Sequence, residues 1–433
     1  MMMTYQEALD YLSKLNTFGS KLGLVRITSL LMLLDCPQNR YKTIHVTGTN
    51  GKGSTTSMLT SVLSTAKIRT GMFTSPHLVS YTERIQINGK EITEEEFAEC
   101  LFIVKEKAEQ MVAGGEENPT QFEILTAVAF FYFAKMQVEY AVIEVGLGGL
   151  LDSTNVIVPE VSVITNVTFE HADRCGGTLA GVCKHKAGII KEGVPVVTAA
   201  KGETLTYIRE VAEEKNADLF VANEDFQSIF EKFDYAYQQV KFSSEIMGLS
   251  VSYKLQLLGE HQIENSSVAI MTALLLANSE KRITKENIFR ALYETKWPGR
   301  FELVRKDGRQ VIIDGAHNLA GTSSLRKNLD LYFPEKEIVF LIGILKDKDV
   351  DGMLTSLIRP ENVVVVTEPD SERLAHAEFI AKKVVAKHVE AYPKMKDGLA
   401  QAITLAGQDK LLCVAGSLYL IGEIRKYIME GSF

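Results

Sequence analysis

The sequence predicts an α/β protein with mainly parallel sheets in two domains. Three observations predict this class. Short Val/Ile-rich runs alternate with helical patterns from residue 42 to about 200, a break containing Pro298 and Gly299 follows at 296–302, and a second alternation begins after the break. Strands that are apolar at nearly every position suit a parallel sheet covered on both faces. We therefore expect a larger domain over residues 1–296 and a smaller one over 297–433.

The elements of the larger domain follow from periodicity and turn residues. Asn88-Gly89 lies between two polar-alternating runs and predicts a hairpin, and residues 234–259 predict a second antiparallel patch. The strand candidates are KTIHVTG, RTGMFTS, EYAVIEV, VSVITNV and VPVVTA, and the helical candidates between them include STTSMLTSVLSTA and TQFEILTAVAFFYFAKM. Two further helices, from His261 to about Ser279 and then to about Glu294, complete this domain.

The smaller domain repeats the strand–helix alternation. Its strand candidates are QVIIDGA, EIVFLIGIL, NVVVVTE and KLLCVAGSLYL, each separated from the next by a helical pattern. About 135 residues are enough to form an independent core. We expect a Rossmann-like α/β arrangement for this domain.

Composition excludes several classes of protein. The chain has 433 residues, of which 46% are hydrophobic and 24% charged, and its net charge of −8 argues against nucleic-acid binding. Five cysteines have no zinc-like spacing, so reduced thiols are expected. The N-terminal segment lacks the basic head and apolar run of a signal peptide, and no stretch has the roughly 18 apolar residues of a membrane span. We expect a cytoplasmic protein without nucleic-acid or membrane partners.

The segment IHVTGTNGKGST at residues 44–55 predicts a phosphate-binding loop. It joins a strand to a helix, so backbone N–H groups and the helix N-terminus converge on one anion site. Gly48, Gly51 and Gly53 permit a tight backbone, and Lys52 supplies a cation. The usual loop places Ser or Thr directly after the lysine to bind Mg²⁺. Because Gly53 occupies that position here, the metal needs ligands from other segments.

Three strand ends offer such ligands, because ligands of open α/β sheets bind at the carboxyl ends of strands. Ser75 follows RTGMFTS, Glu144 lies in AVIEVG, and His171 follows VSVITNV. Glu144 is the strongest candidate, since a buried carboxylate must be paired, protonated or metal-bound. Ser75 is equally compatible with a turn before Pro76, and His171 alone is compatible with an ordinary histidine.

Two other classes share a phosphate loop. A regulatory GTPase requires an N-K-x-D segment to read guanine, and the sequence contains no Asn-Lys dipeptide. Composition does not exclude a nucleotide-gated binding protein without catalysis, although a buried Glu144 beside a second set of metal ligands would have little purpose in such a protein. An enzyme that uses a nucleoside triphosphate is the favoured interpretation.

The ordered motifs TGTNGKGS, TSPHLVSYTERIQING, EVGLGG-LLDSTNV, KAGIIK, WPGRFE, DGAHN and AGSLYLIGEIR resemble those of the folylpolyglutamate synthase and dihydrofolate synthase family, within the Mur ligases. The resemblance runs from about residue 4 to 428. It implies an ATP-dependent ligase that joins L-glutamate to the γ-carboxylate of a reduced folate. The muramyl ligases of cell-wall synthesis are the nearest alternative, but they lack the SPHL and GSLYL motifs.

The resemblance also implies the roles of particular residues. It assigns ATP phosphates to the loop of Thr49, Asn50, Gly51, Lys52, Gly53 and Ser54, and it assigns Mg²⁺ to Ser75, Glu144 and His171. Lys186 matches a carbamylated lysine, whose carbamate oxygens suit a hard cation. From the residues alone, Lys186 is instead expected to be a solvated charge on a helix.

Further contacts are implied for the nucleotide and the folate. Asn265, Arg300 and Asp314 match nucleotide-contacting positions, with ATP between the two domains, and His317 matches a catalytic motif. The folate-binding positions are implied to be Lys21, Leu22, Gly23, Thr120, Gln121, Phe122, Glu123, Leu151, Asp152 and Ser153.

Two departures from the family pattern concern the pterin side. Leu150 stands where many relatives have Arg, and Val25 stands where many have Glu. They leave open whether dihydropteroate is a substrate. The implied partners are small molecules, namely reduced folates, L-glutamate and ATP, and a monomer is expected.

Overall fold

The computed structural model describes residues 3–15, 23–168, 177–234 and 237–431. The chain divides into two compact units. Unit 1 comprises Met1–Lys232, Gln239–Gln256 and His261–Thr295, and unit 2 comprises Phe233–Gln238, Leu257–Glu260 and Lys296–Phe433. Two short segments that precede residue 296 in sequence therefore belong to unit 2.

Unit 1 contains an eight-stranded sheet of order β4-β3-β2-β5-β1-β6-β7-β8. Its strands are β1 Lys42–Thr47, β2 Thr70–Phe73, β3 Ile85–Ile87, β4 Lys90–Glu91, β5 Tyr140–Glu144, β6 Val161–Ile164, β7 Val196–Thr198 and β8 Leu219–Val221. The pairs are parallel from β2 to β8, while the short β3 and β4 are antiparallel. The mainly parallel sheet and the Asn88-Gly89 hairpin predicted from the sequence are confirmed.

Helices cover this sheet, so its central strands β1, β5 and β6 are buried. They are α1 Tyr5–Leu15, α2 Val25–Leu33, α3 Lys52–Thr65, α4 Glu94–Ala113, α5 Gln121–Lys135, α6 Leu179–Ala187, α7 Gly202–Glu214, α8 Glu260–Leu276 and α9 Lys285–Glu294. One core cluster joins α1, α2, α4 and α5 to Phe73 of β2 and Ile143 of β5. No described helix is both long enough and apolar enough to cross a membrane.

A separate antiparallel sheet has the order β11-β10-β9. Its strands are β9 Gln227–Asp234, β10 Tyr237–Ser244 and β11 Leu249–Leu255. The patch predicted over 234–259 is confirmed, but β9 was not predicted. This edge strand is almost wholly exposed, so it lacks the apolar alternation that indicates a half-buried strand.

Unit 2 contains a six-stranded sheet of order β12-β13-β17-β14-β15-β16. Its strands are β12 Glu302–Lys306, β13 Arg309–Ile313, β14 Ile338–Ile342, β15 Val363–Thr367, β16 His388–Tyr392 and β17 Leu411–Ala415. Its helices are α10 Leu319–Tyr332, α11 Val350–Leu357, α12 Ala377–Ala381, α13 Met395–Ala406 and α14 Leu418–Glu430. All pairs are parallel except β12 with β13, which confirms a second α/β sheet.

Candidate functional site

The phosphate loop connects β1 to α3 at the centre of the sheet. The register pairs Val46 of β1 with Glu144 of β5, and Thr47 with Ile164 of β6. Loop residues 48–51 therefore start beside the carboxyl ends of two neighbouring strands. Because those ends share one edge of the sheet, the loop and Glu144 are brought together by topology alone.

The lysine of the loop lies against its own backbone. Lys52 Nζ donates hydrogen bonds to the carbonyl oxygens of Gly48, at 3.0 Å, and Thr49, at 3.2 Å. Gly51 has a φ of +85° and precedes the first turn of α3 without a side-chain cap. The ammonium and the first helical N–H groups are thus held within one short segment, as an anion site requires.

A second strand end fixes the far side of the loop. The Thr49 amide donates to the Asn166 carbonyl oxygen at 2.9 Å. The Asn50 amide donates to the side-chain oxygen of Asn166, also at 2.9 Å. Thr165 Oγ1 donates to the carbonyl oxygen of Asn50 at 2.6 Å. The amides of Thr49 and Asn50 already have acceptors, so the N–H groups open to an anion include those of the first helical turn, at Lys52, Gly53 and Ser54.

Helix α8 closes over the loop in unit 1. Gln262 Nε2 donates to Ser54 Oγ at 3.1 Å, and Asn265 Nδ2 donates to Gln262 Oε1 at 3.1 Å. A Cβ atom at Gly51 would lie 2.2 Å from Asn265 Oδ1. The structure therefore places Asn265 directly against the phosphate loop, although it lies 214 positions after Gly51 in the sequence.

Two of the three candidate metal ligands come together. The Ser75 N–H donates to Glu144 Oε2 at 3.0 Å, and only 4% of the Glu144 surface is exposed. A carboxylate beside a hydroxyl offers the oxygen ligands that Mg²⁺ prefers, so these residues fit the ion. His171 lies outside the described residues. Within the described part of the chain, no group of three His, Cys, Asp or Glu side chains could hold a metal ion.

The hydroxyls of Thr55 and Thr56 do not replace the missing ligand. Thr55 and Thr56 are fully buried in α3, and neither hydroxyl has a hydrogen-bond partner among the described atoms. Both side chains therefore belong to the interior of unit 1. Oxygen donors from the neighbouring strands remain the available source.

The segments that resemble folate-binding regions also meet in unit 1. Phe122, at the start of α5, contacts the chain at Gly146, where an added Cβ would lie 2.4 Å from the phenyl ring. Ser153 Oγ lies 2.7 Å from Thr126 Oγ1 of the same helix, and the Gly23 amide donates to the Leu151 carbonyl at 3.4 Å. Lys21 and Leu22 lie outside the described residues.

Thr120 and Glu123 have structural partners at the start of α5. Thr120 caps the helix, and Glu123 Oε2 accepts from the Thr120 amide at 2.7 Å. The same carboxylate oxygen accepts from Arg26 Nε of α2 at 3.1 Å, with Glu123 3% and Arg26 12% exposed. This buried ion pair ties α5 to α2, so Glu123 shapes the segment whether or not it contacts a ligand.

A buried relay connects β1 to Asp152. Thr154 Oγ1 donates to Asp152 Oδ1 at 2.5 Å, so it can only accept from His45 Nε2, which lies 2.9 Å away. His45 therefore carries its proton on Nε2. Burial, with a smaller effect from Lys191, lowers the pKa of His45 to about 3, so the imidazole is neutral. Burial also raises the pKa of Asp152, against the effect of its hydrogen bonds.

Lys186 is buried, with 6% of its surface exposed. The expectation of a solvated helix charge is therefore wrong. Lys186 lies in α6. The carbonyl of the preceding residue, His185, accepts a hydrogen bond from the Leu150 amide at 2.7 Å. Helix α6 packs closely against the Gly148-Gly149 turn. We attribute the burial of the Lys186 side chain to this packing, which the local sequence does not indicate.

Unit 2 contains its own cluster of predicted residues. Asp314 Oδ2 accepts from the Phe301 amide at 2.7 Å, and Oδ1 accepts from the Ala316 amide at 2.8 Å. Burial raises the pKa of Asp314, while the Arg300 guanidinium acts in the opposite direction. His317 Nδ1 lies 2.7 Å from the Gly315 carbonyl and so carries a proton there. The WPGRF and DGAHN motifs thus form one structural element.

The chain matches the Mur ligase middle domain over residues 46–273 and the glutamate ligase domain of Mur ligases over residues 299–418. It is 35% identical over 433 residues to the dihydrofolate synthase/folylpolyglutamate synthase of Bacillus subtilis (strain 168), covering 98% of this chain and 99% of the relative. The chain belongs to the folylpolyglutamate synthase/dihydrofolate synthase family. The resemblance found in the motifs is confirmed.

Solved structures of this family have the same fold. The folylpolyglutamate synthase of Thermotoga maritima has a TM-score of 0.88 at 33% identity, covering 99% of this chain and 97% of that one. The Mycobacterium tuberculosis folylpolyglutamate synthase complexed with ADP and AMPPCP has a TM-score of 0.84 at 30% identity, covering 98% of both chains. The predicted fold class is confirmed by these similarities.

Several residues of the site carried no recognisable signal in the sequence. His45 and Thr154 are 109 positions apart, and each lies in a segment that reads as ordinary strand or turn. Arg84, His77 and Tyr81 lie within motifs that indicate the family, but no charge pattern distinguishes their side chains. Only the folded arrangement shows that these three side chains contact one another.

Proposed function

We propose that this protein is an ATP-dependent ligase that adds L-glutamate to the γ-carboxylate of a reduced folate. The observation that carries the proposal is the placement of three groups at one edge of the unit 1 sheet. They are the phosphate loop with Lys52, the Ser75–Glu144 pair, and the Phe122–Asp152 region. The named activities of the relatives and the nucleotides in the M. tuberculosis complex support it.

The reaction explains why the site needs ATP. A carboxylate is a poor acyl donor because oxide is a poor leaving group. In the proposed first step a carboxylate oxygen attacks the γ-phosphorus, the bond from that phosphorus to the β–γ bridging oxygen breaks, and ADP leaves. The glutamate amine, in its neutral form, then attacks the acyl phosphate carbonyl, loses a proton and expels phosphate. The products are an amide, ADP and phosphate.

The residues of the chain act mainly by position and charge. Lys52 and the amides of residues 52–54 would neutralise charge on the phosphates during transfer. Ser75 and Glu144, with His171 predicted as a third ligand, would hold Mg²⁺, and the bound ion would supply positive charge that offsets the charge of the phosphates. The roles of Asn265 at the loop, and of Arg300, Asp314 and His317 in unit 2, stay predictions from the family resemblance.

Lys186 is proposed to be carbamylated. A buried lysine without its charge avoids the cost of desolvating an ammonium, and a neutral amine can add CO₂ with loss of a proton. The resulting carbamate would be an anionic oxygen ligand. Intact mass measured in bicarbonate buffer at neutral pH should show an added CO₂ that disappears in the Lys186→Ala variant.

Phosphate release tests the proposed function. The full chain, with ATP and Mg²⁺, should release phosphate only when both tetrahydrofolate and L-glutamate are present, and the product should gain one glutamate by mass. Release with GTP and no folate would instead indicate a GTPase. Nucleotide binding with no release under any condition would indicate a binding protein, and use of muramyl but not folate substrates would indicate a cell-wall ligase.

A parallel reaction with dihydropteroate tests the second activity named in the B. subtilis relative. Val25 is 77% exposed, and Leu150 is partly buried beside α6. Neither side chain carries the charge that many relatives have at these positions, so this parallel reaction decides whether dihydropteroate is also a substrate. We also propose that the protein is cytoplasmic and that it is a monomer. Light scattering of the purified chain would test the oligomeric state.

A further inference from the structure

The loop that follows β2 holds a guanidinium in a fixed position. Arg84 Nε donates to His77 Nδ1 at 2.8 Å, and Arg84 Cζ lies 5.2 Å from the centre of the Tyr81 ring. Because an arginine N–H can only donate, His77 Nδ1 is the acceptor in this bond, and its proton lies on Nε2 when the imidazole is neutral. One hydrogen bond and one cation–π contact therefore orient Arg84.

The loop itself is ordered by internal hydrogen bonds. Glu83 accepts from the successive amides of Leu78, Val79 and Ser80, at 2.7 to 2.8 Å. Ser80 caps the short helix Tyr81–Arg84. These bonds leave the loop backbone few alternative conformations, so Arg84 projects from a rigid support rather than from a mobile one.

Arg84 lies between the two halves of the proposed site. On one side, the Arg84 carbonyl accepts from the Thr74 amide at 3.0 Å, and the next residue, Ser75, donates to Glu144. On the other side, the Tyr81 hydroxyl accepts from Gln121 Nε2, at the start of α5, at 3.0 Å. Burial of Arg84 lowers its pKa, but an arginine side chain stays charged at neutral pH.

The terminal nitrogens of Arg84 are uncommitted. Throughout the described part of the chain, neither Nη1 nor Nη2 has a hydrogen-bond partner or a carboxylate within ion-pair distance, and neither is sealed from solvent. Arg84 is therefore oriented by its bond at Nε, while the N–H groups of Nη1 and Nη2 can donate to a ligand. We call this pair of terminal nitrogens the Arg84 fork. That geometry matches two oxygen atoms of one planar or tetrahedral anion.

We propose that Arg84 binds the substrate carboxylate that is to be activated. This inference rests on the proposed function and adds one residue to it. The carboxylate must lie between the folate-binding segment and the phosphoryl group, which is where Arg84 lies. A guanidinium there reduces the repulsion between the incoming carboxylate and the triphosphate, and the same fork can hold oxygens of the acyl phosphate after transfer.

The test compares a carboxylate with its neutral counterpart. Calorimetric titration of the full chain would use tetrahydrofolate and its γ-amide, in which the γ-carboxylate alone is replaced. Wild type should bind the acid roughly ten- to hundredfold more tightly than the γ-amide, the range expected for a charge-assisted hydrogen bond. Arg84→Gln should bind both with the affinity that wild type shows for the amide. Arg290→Gln, at an exposed arginine of α9, is the matched control and should behave as wild type.

Three outcomes overturn the proposal. The first is an Arg84→Gln variant that still prefers the acid as strongly as wild type. The second is an equal loss of affinity for acid and amide, which would show that Arg84 only supports the loop. The third is a wild type with no preference for the acid. If Arg84→Gln does not fold, as judged by thermal melting, Arg84→Lys keeps the charge without the fork and should lose most of the preference.

The proposed function can fail independently of this inference. A wild-type chain that neither binds tetrahydrofolate nor releases phosphate with it would refute the ligase itself. A wild-type chain that glutamylates tetrahydrofolate, together with an unchanged acid preference in Arg84→Gln, would refute only the role of Arg84.

Discussion

Lys52 combines a structural contact with a proposed catalytic one. Its ammonium donates to the carbonyl oxygens of Gly48 and Thr49, while the amides of Thr49 and Asn50 donate to Asn166 beyond the neighbouring strand. The loop therefore has other restraints besides this side chain. Removing Lys52 should affect chemistry far more than folding.

We expect Lys52→Ala to reduce kcat for phosphate release by at least about a hundredfold, because developing phosphate charge loses its cation. Its melting temperature should stay within a few degrees of wild type. Lys285→Ala, at an exposed position of α9, is the control and should retain full activity. Full turnover in Lys52→Ala would refute the assignment of the loop.

His45 gives a pH dependence whose sign follows from its burial. The folded pKa is about 3, against 6.5 for the unperturbed group. Between these values the unfolded chain binds a proton that the folded chain does not. His45 therefore destabilises the fold as pH falls below 6.5, by up to about 1.4 kcal/mol per pH unit.

The variant His45→Gln keeps an N–H for Thr154 but cannot titrate. We expect its melting temperature to fall less steeply than that of wild type between pH 6.5 and 4.5, measured by circular dichroism. His77 titrates in both proteins and so cancels in the comparison. Parallel curves for the two proteins would show that His45 is not a buried neutral histidine.

Helices α2 and α5 are joined by the Arg26–Glu123 ion pair. Glu123→Gln would leave the Arg26 charge buried without its nearest carboxylate, which costs about 3 kcal/mol in unfolding free energy. Urea unfolding measures this loss. Glu117→Gln, which removes the exposed partner of the same arginine, should change stability by less than about 1 kcal/mol. Equal effects of the two substitutions would contradict a buried pair.

Much of the sheet architecture could be predicted because its strands are buried on both faces. The strands β1, β5, β6, β14 and β17 are buried at nearly every position, and their clustered Val, Ile and Leu residues give the signal that predicts them. Strands β12 and β16 were missed because they are only partly buried and mix charged with apolar residues, so neither contains a continuous apolar run. Asp307-Gly308 did carry a hairpin signal for β12 and β13, which the longer apolar run QVIIDGA obscured.

The residues of the candidate site also fall into two groups, those that the sequence indicates and those that only the structure reveals. A glycine-rich turn with a lysine and a carboxylate inside an apolar run are local signals, so Lys52 and Glu144 could be selected from the sequence. The His45–Thr154–Asp152 relay and the Arg84 fork depend on residues that approach only after folding. The burial of Lys186 arises from packing of α6 against a glycine turn, which no local pattern reports.

The two units are interleaved along the chain. Tyr332 of α10 is 4% exposed, and its hydroxyl donates to Gln238 Oε1 at 2.8 Å and accepts from the Gly259 amide at 3.1 Å. Both partners come from short segments that precede residue 296 but belong to unit 2. A fragment that begins at residue 297 therefore lacks part of its own core.

This arrangement predicts different effects of one substitution in two lengths of chain. In the full chain, Tyr332→Phe should cost about 2 kcal/mol of unfolding free energy, because two buried hydrogen bonds are lost. In the fragment 297–433 the hydroxyl has already lost both partners, so the same change should be neutral or stabilising. Thermal melts of the four proteins make the comparison. The same destabilisation in both lengths of chain would show that the two segments do not matter to α10.

The close approach of Gly51 to Asn265 limits how this loop can vary among descendants of the sequence. A side chain at 51 meets two obstacles, a collision with the amide of α8 and a φ of +85° that L-residues avoid. Shortening residue 265 removes the collision but leaves the backbone strain. A homologue with a larger residue at position 51 must therefore also have a different residue at position 265 and a different turn conformation. We expect substitutions at these two distant positions to occur together.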